Sequence, residues 1–103
     1  MNCSRNDVVL LPIPFTDLTS RKVRPAVIVG RSGADLFLVP ISSVLANTDF
    51  PLKEWRAAGL NVTSGVKAQL ATVEERLVVK IVGQLAAADV RLLNERLRTW
   101  LNL

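Results

Sequence analysis

Apolar residues change their spacing once along this chain, and that change limits the fold more than any other feature of the sequence. Up to about residue 82 they come in short runs that glycine and proline interrupt, a pattern typical of strands in a small sheet. Beyond that point Val90, Leu93, Leu97 and Trp100 recur at helical spacing. A chain of 103 residues has room for one domain. We therefore expect residues 1–103 to form one mainly β domain that ends in an amphipathic helix.

Five segments have the composition of strands, and each ends near a proline, a glycine or a polar turn. They are Asp7–Ile13, Val23–Val29, Asp35–Ile41, Val66–Leu70 and Leu77–Val82. The pattern also predicts a loop at Thr16–Lys22, a helical turn within Ser43–Thr48, and a turn at residues 74–76 between the last two strands. In about 100 residues such elements favour a small curled sheet or barrel that the terminal helix closes.

The terminal helix is the element with the clearest pattern. Polar residues occupy the faces opposite Val90 and Leu93, and Asp89 lies early, where a carboxylate suits the helix dipole. The apolar face must cover something. Packing on the chain's own sheet is the favoured interpretation, and a share in a dimer interface is the alternative.

Charge and cysteine content bound the partners and the compartment. Lysine and arginine number 13 against 9 acidic residues, for a net charge of +4. Such a balance suits a polyanion or an acidic peptide as partner, and equally suits simple solubility. The single Cys3 cannot form an internal disulfide, which favours the cytoplasm, and we expect it to be an incidental terminal residue. No segment has the roughly 20 apolar residues of a membrane span.

The chemistry that this composition excludes is informative. The chain contains neither histidine nor tyrosine, which removes histidine-based acid–base catalysis and the Ser-His-Asp triad. One cysteine without histidine cannot make a zinc site, and no glycine-rich phosphate loop is present, so we expect no metal and no cofactor. An enzyme with this composition must use Arg, Lys, Ser, Thr, Asp or Glu. That set fits phosphate chemistry in which a cation stabilises developing charge.

Several segments, in order, resemble the PemK/MazF family of toxins. They are DVVL with PFTD at residues 7–10 and 14–17, RPAVIV at 24–29, VPISS at 39–43, GL with SGVKAQL at 59–60 and 64–70, and VGQL at 82–85. The series covers about residues 7–100. Each motif alone is weak, and the ordered set with its Arg-Pro-Ala strand is fairly specific.

The resemblance implies a fold and partners. The fold is an SH3-like (PemK/CcdB-type) small β-barrel of about five to seven strands closed by the C-terminal helix. Members usually form homodimers and are held inactive by an antitoxin. With the basic charge of this chain, the resemblance suggests that an acidic, partly disordered antitoxin tail folds on binding.

The resemblance also implies an activity: metal-independent cleavage of single-stranded RNA, by attack of the ribose 2′-hydroxyl on the adjacent phosphate. The family's catalytic arginine aligns with Arg24, and its threonine aligns with Ser42. The implied RNA-binding residues are Thr16, Arg21, Lys22, Ser43, Lys67 and Gln69. A guanidinium suits this role because it stays charged and grips two phosphate oxygens. Arginine is a poor base, so the group that removes the 2′ proton is left unassigned.

Two departures from the family pattern stand out. Asn6 replaces the opening glycine, and Ser42 keeps the hydroxyl of threonine but lacks the methyl group that stiffens χ1. We expect weaker positioning, with Ser43 as a nearby substitute.

Plainer interpretations stay open beside these. Arg24 is otherwise an ordinary surface residue, and Ser42 and Ser43 can cap the turn that follows their strand. Thr16–Lys22 is otherwise a solvated loop, and Lys67 and Gln69 sit on an exposed strand face. Phe15 and Trp55 fill the core rather than stack on bases. Two competing functions also remain: a toxin of the same fold that binds DNA gyrase through its terminal helix, where Trp100 and Leu101 lie, and a module that binds without cutting.

Overall fold

Seven antiparallel strands make the sheet of the computed structural model, which describes residues 2–12 and 22–103. They are β1 (Asp7–Pro12), β2 (Val23–Ser32), β3 (Asp35–Ser42), β4 (Phe50–Pro51), β5 (Gly65–Val66), β6 (Ala71–Glu74) and β7 (Lys80–Gln84). Their order is β4-β5-β3-β2-β1-β7, and β6 also pairs with β3. Within the described part of the chain β4 and β7 do not pair, so the sheet does not close into a ring.

The three central strands are buried on both faces. Val8, Val27 and Val39 lie opposite one another and belong to the main core. Their neighbours Val9 and Ala26 point to the other face, into a second cluster with Ile28, Leu36 and Leu38 among others. Because both faces are covered, β1–β3 are almost continuously apolar instead of alternating with polar residues.

Helix α1 (Ala87–Leu101) covers the main core. Leu93 and Leu97 are buried in that core, and Val90 and Trp100 pack partly buried against it. The helix ends where Asn102 takes the left-handed conformation, at φ 56° and ψ 48°. The predicted helix is confirmed, as is its packing on the chain's own sheet. In the described residues no helix is long and apolar enough to cross a membrane.

The first three predicted strands are confirmed within the described residues, and so is a helical turn near residue 45. That turn is a 3-10 helix at Leu45–Asn47, and a second one covers Glu75–Leu77. The predicted turn at residues 74–76 therefore falls at the end of β6. Ile13 and most of the predicted loop Thr16–Lys22 lie outside the described residues.

The predicted strand Val66–Leu70 is wrong. Only its first residue is in a strand, because the chain bends after Val66: the Gln69 N–H donates to the Lys67 carbonyl oxygen at 2.9 Å. The bend lets β3 pair with β5 at one end and with β6 along the other. Sequence reasoning missed β6 and the two-residue β4. It also began the last strand three residues early and ended it two residues early, because it took Gly83, which lies inside β7, as the stop.

Candidate functional site

A pocket of about 670 Å³ opens where β2 begins and β3 ends. The ladder between these strands pairs Ala26 with Pro40. Two residues further along each strand lie Arg24 and Ser42, at the same end of the ladder and on the same face. Arg24 also lies opposite Leu11 of β1, and Ser42 lies opposite Gly65 of β5. The register of four strands therefore brings the two candidate catalytic residues to one pocket.

The polar lining of this pocket is cationic and neutral. It has the side chains of Arg24 and Lys67, and five uncharged polar residues, which are Ser42, Ser43, Asn47, Asn61 and Ser64. Among the residues that the structure describes, no carboxylate lines it. Leu10, Ile41, Leu60 and Val82 are among the apolar lining residues. A cavity of this composition suits an anion with an apolar or aromatic portion.

Arg24 and Ser42 are both available to a ligand. Arg24 is exposed, and the three ion pairs found within residues 2–12 and 22–103 involve other arginines. Ser42 is half-buried, and its Oγ accepts a hydrogen bond of 3.0 Å from the Val44 N–H. Since the hydroxyl acts there as an acceptor, its own proton remains free to be donated. The turn-capping and ligand-binding interpretations of Ser42 are therefore compatible.

The far wall of the pocket is the loop between β4 and β5, and its N-terminal part is fixed to α1. Asp89 is fully buried, and its two carboxylate oxygens accept hydrogen bonds of 2.9 Å from the Lys53 and Glu54 N–H groups. The position of Asp89 near the helix start was predicted, but its partners are in the loop. Charge-assisted bonds of this kind are strong, so they hold the start of the loop against the helix.

A close backbone contact fixes the middle of the same loop. Gly59 has φ +90°, and a Cβ built on it would collide with the carbonyl of Val82. A Cβ on Gly83 would lie 2.5 Å from the Ala58 oxygen. Both Gly59 and Gly83, which belong to the family-like motifs, are therefore required where the loop comes close to β7, because a side chain on either would collide with the backbone.

The remaining predicted RNA-binding residues are placed less uniformly. Ser43 and Lys67 line the pocket, but Lys67 follows β5 instead of lying on a strand. Gln69 lies in an adjacent pocket of about 400 Å³. Lys22 is exposed and outside the lining, and Thr16 and Arg21 lie outside the described residues.

Sequence reasoning missed Asn47, Asn61 and Ser64. Ser64 opens the SGVKAQL motif at residues 64–70, and the only signal for Asn47 and Asn61 was their position in polar, irregular segments. Trp55 is half-buried against the main core, as expected, with the Arg56 guanidinium 4.9 Å from its ring centroid. Phe15 lies outside the described residues.

The clearest electrostatic cluster is away from the pocket and corrects the expectation for Cys3. Cys3 is buried, its N–H donates to Glu75 Oε2 at 2.9 Å, and its carbonyl accepts from Arg31 at 2.9 Å. Arg31 and Glu75 also pair directly, at 2.9 Å between Nη2 and Oε1. The hydrogen bond from Arg31 and the Cys3 N–H lower the pKa of Glu75 to about 2, and burial raises the pKa of the Cys3 thiol. Cys3 is therefore an anchored core residue.

Comparison with solved structures finds the same fold in known toxins. One is described as an endoribonuclease in complex with its cognate antitoxin from a mycobacterial species; it has a TM-score of 0.73 at 20% identity, over 100% of this chain and 97% of that one. Another is the Mycobacterium tuberculosis toxin MazF-mt6, with a TM-score of 0.72 at 18% identity, over 94% and 97% of the two chains. Both similarities concern the fold.

Comparison of sequences gives the family. No curated protein sequence matches the chain. The model of the PemK-like, MazF-like toxins of type II toxin–antitoxin systems matches residues 4–101, almost the whole length. Together with the mainly β fold and its terminal helix, this match shows that the chain belongs to the family of PemK-like, MazF-like toxins of type II toxin–antitoxin systems.

Proposed function

We propose that this toxin is a metal-independent, sequence-selective endoribonuclease that cleaves single-stranded RNA in the pocket between β2 and β3. The observation that carries the proposal is the placement of Arg24 and Ser42 at one end of the β2–β3 ladder, in a pocket whose described lining has two cations and no carboxylate. An RNA phosphate is the ligand that such a lining favours.

The proposed reaction is attack of a ribose 2′-hydroxyl on the adjacent phosphorus. The P–O bond to the next nucleoside breaks, which leaves a cyclic phosphate and a free 5′-hydroxyl. Negative charge grows on the phosphate oxygens in the transition state, and Arg24 stabilises it with two N–H donors. The Ser42 hydroxyl donates a hydrogen bond to the same oxygens, while its Oγ accepts a hydrogen bond from the Val44 N–H. Lys67 adds a second positive charge to the pocket.

The described residues supply binding and charge stabilisation. The chain has no histidine, and no carboxylate is found in the described lining, so the proposal assigns no side chain as the base. The relative order of effects follows from this. Loss of the guanidinium should cost more than loss of the serine hydroxyl, because only the guanidinium carries a full charge.

The proposal includes the partners of the toxin. A similar structure is described in complex with its cognate antitoxin, and the net charge of +4 suits an acidic antitoxin tail that folds on binding. We further propose a homodimer and a cytoplasmic location. Three measurements test the antitoxin, the dimer and the location: co-purification with the protein encoded beside the toxin, sedimentation velocity, and cell fractionation. A toxin that does not bind that protein contradicts the antitoxin proposal, and a monomer contradicts the dimer.

The test of the reaction is incubation with a long single-stranded RNA in excess EDTA, followed by mapping of fragment ends. Wild type should give discrete cuts with 5′-hydroxyl ends. Arg24→Ala should lower the cleavage rate by roughly a hundredfold or more, as removal of a transition-state donor does. Arg91→Ala is the matched control, because Arg91 is exposed on α1 and outside the pocket.

Two outcomes would contradict the proposal. If wild type binds RNA but cuts none, the chain is a binding module. If it cuts nothing and halts growth through DNA gyrase, the same fold acts by another route. That route would use the end of α1, where Trp100 packs on the main core and Leu101 is exposed.

A further inference from the structure

A second pocket, of about 400 Å³, adjoins the first. Its lining consists of residues 46–49 and 67–69, and it shares Asn47 and Lys67 with the first pocket. Asn47 and Lys67 therefore form the border between the two pockets. A polymer bound in the first pocket reaches the second by crossing these two residues.

The walls of the second pocket are tied together by hydrogen bonds. The Asp49 N–H donates to the Val66 carbonyl at 2.8 Å, which joins the segment after the 3-10 turn to the strand before Lys67. On one side the Thr48 hydroxyl donates to the Leu45 carbonyl at 2.7 Å. On the other, the Lys67 N–H donates to the Pro40 carbonyl at 3.0 Å. The pocket is thus built from held backbone, and its side chains project from fixed positions.

A carboxylate beside two amides gives this pocket a chemistry that the first lacks, because the described lining of the first has amides but no carboxylate. Within the described part of the chain, no hydrogen bond is formed by the side-chain amides of Asn47 or Gln69. Asp49 also lines the pocket, and its Oδ2 lies 2.8 Å from Arg96 Nε. Arg96 Nε has no hydrogen-bond partner, and its contact with Asp49 is an ion pair. A carboxylate has about four lone-pair sites, so Asp49 keeps the capacity to accept hydrogen bonds from a ligand.

This donor and acceptor set suits a nucleobase better than a phosphate. Asparagine and glutamine amides pair with base edges through one donor and one acceptor, and single-stranded RNA offers unstacked edges for such contacts. A carboxylate repels a phosphate but accepts from an amino group. Lys67, on the border between the pockets, is placed to contact the phosphate that links two nucleotides.

We propose that the second pocket is a base-reading subsite for a nucleotide that flanks the cleaved bond, with Gln69 and Asn47 as the reading residues. Asp49 biases the subsite toward bases that carry an exocyclic amino group, which are adenine, cytosine and guanine, and against uracil. This inference rests on the proposed function, because the RNA must first be bound at Arg24.

The test is selection from a randomised 2′-fluoro RNA library, in which no 2′-hydroxyl can attack, with cleavage of ordinary RNA measured in parallel. Wild-type protein should deplete uracil about tenfold at one position, the size of a single base contact. Gln69→Ala and Asp49→Asn should flatten that position and leave the melting temperature nearly unchanged. Asn2→Ala is the matched amide control, because Asn2 is exposed and outside both pockets.

The outcomes separate the subsite from the reaction. If the wild type shows the bias but cuts no RNA, the proposed reaction fails and the subsite stands. If the protein cuts RNA while the pocket variants keep the wild-type bias at every position, the subsite is overturned and the reaction stands. If the wild type selects no sequence at all, the subsite is overturned as well.

Discussion

A single residue can hold the backbone and line the proposed RNA site at once, and Ser42 is the clearest example in this toxin. Its Oγ accepts from the Val44 N–H, which holds the turn after β3, while the residue lines the pocket beside Arg24. A serine can do both because a hydroxyl accepts and donates at once. Its lack of a β-methyl group leaves χ1 freer than a threonine would.

Replacement of Ser42 tests this double role. Ser42→Ala should lower the RNA cleavage rate about tenfold or more, because one donor to the developing charge is lost. The unfolding free energy should fall by about 1 kcal/mol or less, since the Val44 N–H lies at an exposed turn and water can replace the serine. Ser42→Thr should cleave at least as fast as wild type.

Kinetics on one RNA substrate and urea unfolding measure both effects. Ser32→Ala is the control, because Ser32 is exposed and outside both pockets. If Ser42→Ala cleaves RNA at the wild-type rate, Ser42 has no role in the reaction and serves only to hold the turn after β3.

Glu75 is a second residue whose environment makes a measurable difference, through its two contacts with Arg31 and Cys3. Its pKa falls from 4.5 to about 2 in the folded protein. A pKa lowered by folding stabilises the native state fully above the unfolded value, near pH 4.5, and this contribution disappears as the pH falls toward 2. The ion pair of Arg31 and Glu75 therefore matters most near neutral pH.

We expect Glu75→Gln to melt at a lower temperature than wild type at pH 6, and the two melting curves to converge toward pH 2. Circular dichroism melts across this range provide the measurement. Glu95→Gln changes an exposed carboxylate on α1 and should track the wild type throughout. A constant gap between Glu75→Gln and wild type at every pH would contradict the titration of this carboxylate.

At the level of elements, α1 and β7 hold the loop between β4 and β5 in place, and this loop forms one wall of the pocket. Asp89 binds its start, and the contact of Gly59 with Val82 holds its middle. Leu52 and Ala58 of the same loop are buried in the main core, so core packing and these ties hold the loop together.

Asp89→Ala should lower the unfolding free energy by about 2–4 kcal/mol, because two hydrogen bonds to a fully buried, charged carboxylate are lost. RNA binding should weaken further than the stability loss alone explains, since the wall carries Asn61 and Ser64 into the pocket. Urea unfolding and fluorescence anisotropy with a short RNA measure the two effects. Asp35→Asn, at an exposed position of β3, is the control. If the two variants lose the same stability and RNA affinity, Asp89 does not hold the pocket wall.

Elements with a strong period were predictable from the sequence, and those made by tertiary contact were not. The apolar runs of β1–β3 and the spacing of Leu93 and Leu97 indicate their elements directly. By contrast, β4 and β5 have two residues each, and β5 exists because it pairs with the end of β3 on one side and with β4 on the other. The same difference holds for the site: the family-like motifs led to Arg24 and Ser42, while Asn47 enters the pocket only through a turn that local pattern does not orient.

The whole molecule carries a net charge of +4, and its described pocket lining concentrates two cations. Binding of a polyanion to such a surface releases counterions, so affinity should fall linearly with the logarithm of salt concentration. The slope reports how many phosphates are neutralised, which makes it a property of the assembled surface.

We expect Arg24→Ala and Lys67→Ala each to reduce the size of that slope by about 0.7, the value for one contact to single-stranded nucleic acid. Titrations of 2′-O-methyl RNA at several salt concentrations, followed by anisotropy, give the slopes. Arg91→Ala on the exposed face of α1 should leave the slope unchanged. Equal slopes for wild type and both pocket variants would place the RNA elsewhere on the molecule.

The ties between the β4–β5 loop, β7 and Asp89 also set an order in time. A ribosome releases this chain from its N-terminus, so Arg24 and Ser42 emerge well before Gly83 and Asp89. Until Gly83 and Asp89 have emerged, the pocket lacks the contacts that hold its wall. We expect ribosome-bound chains in which these residues are missing or still inside the exit tunnel neither to bind nor to cut RNA. A nascent toxin would then be harmless to the message that encodes it for as long as this segment is held in the ribosome.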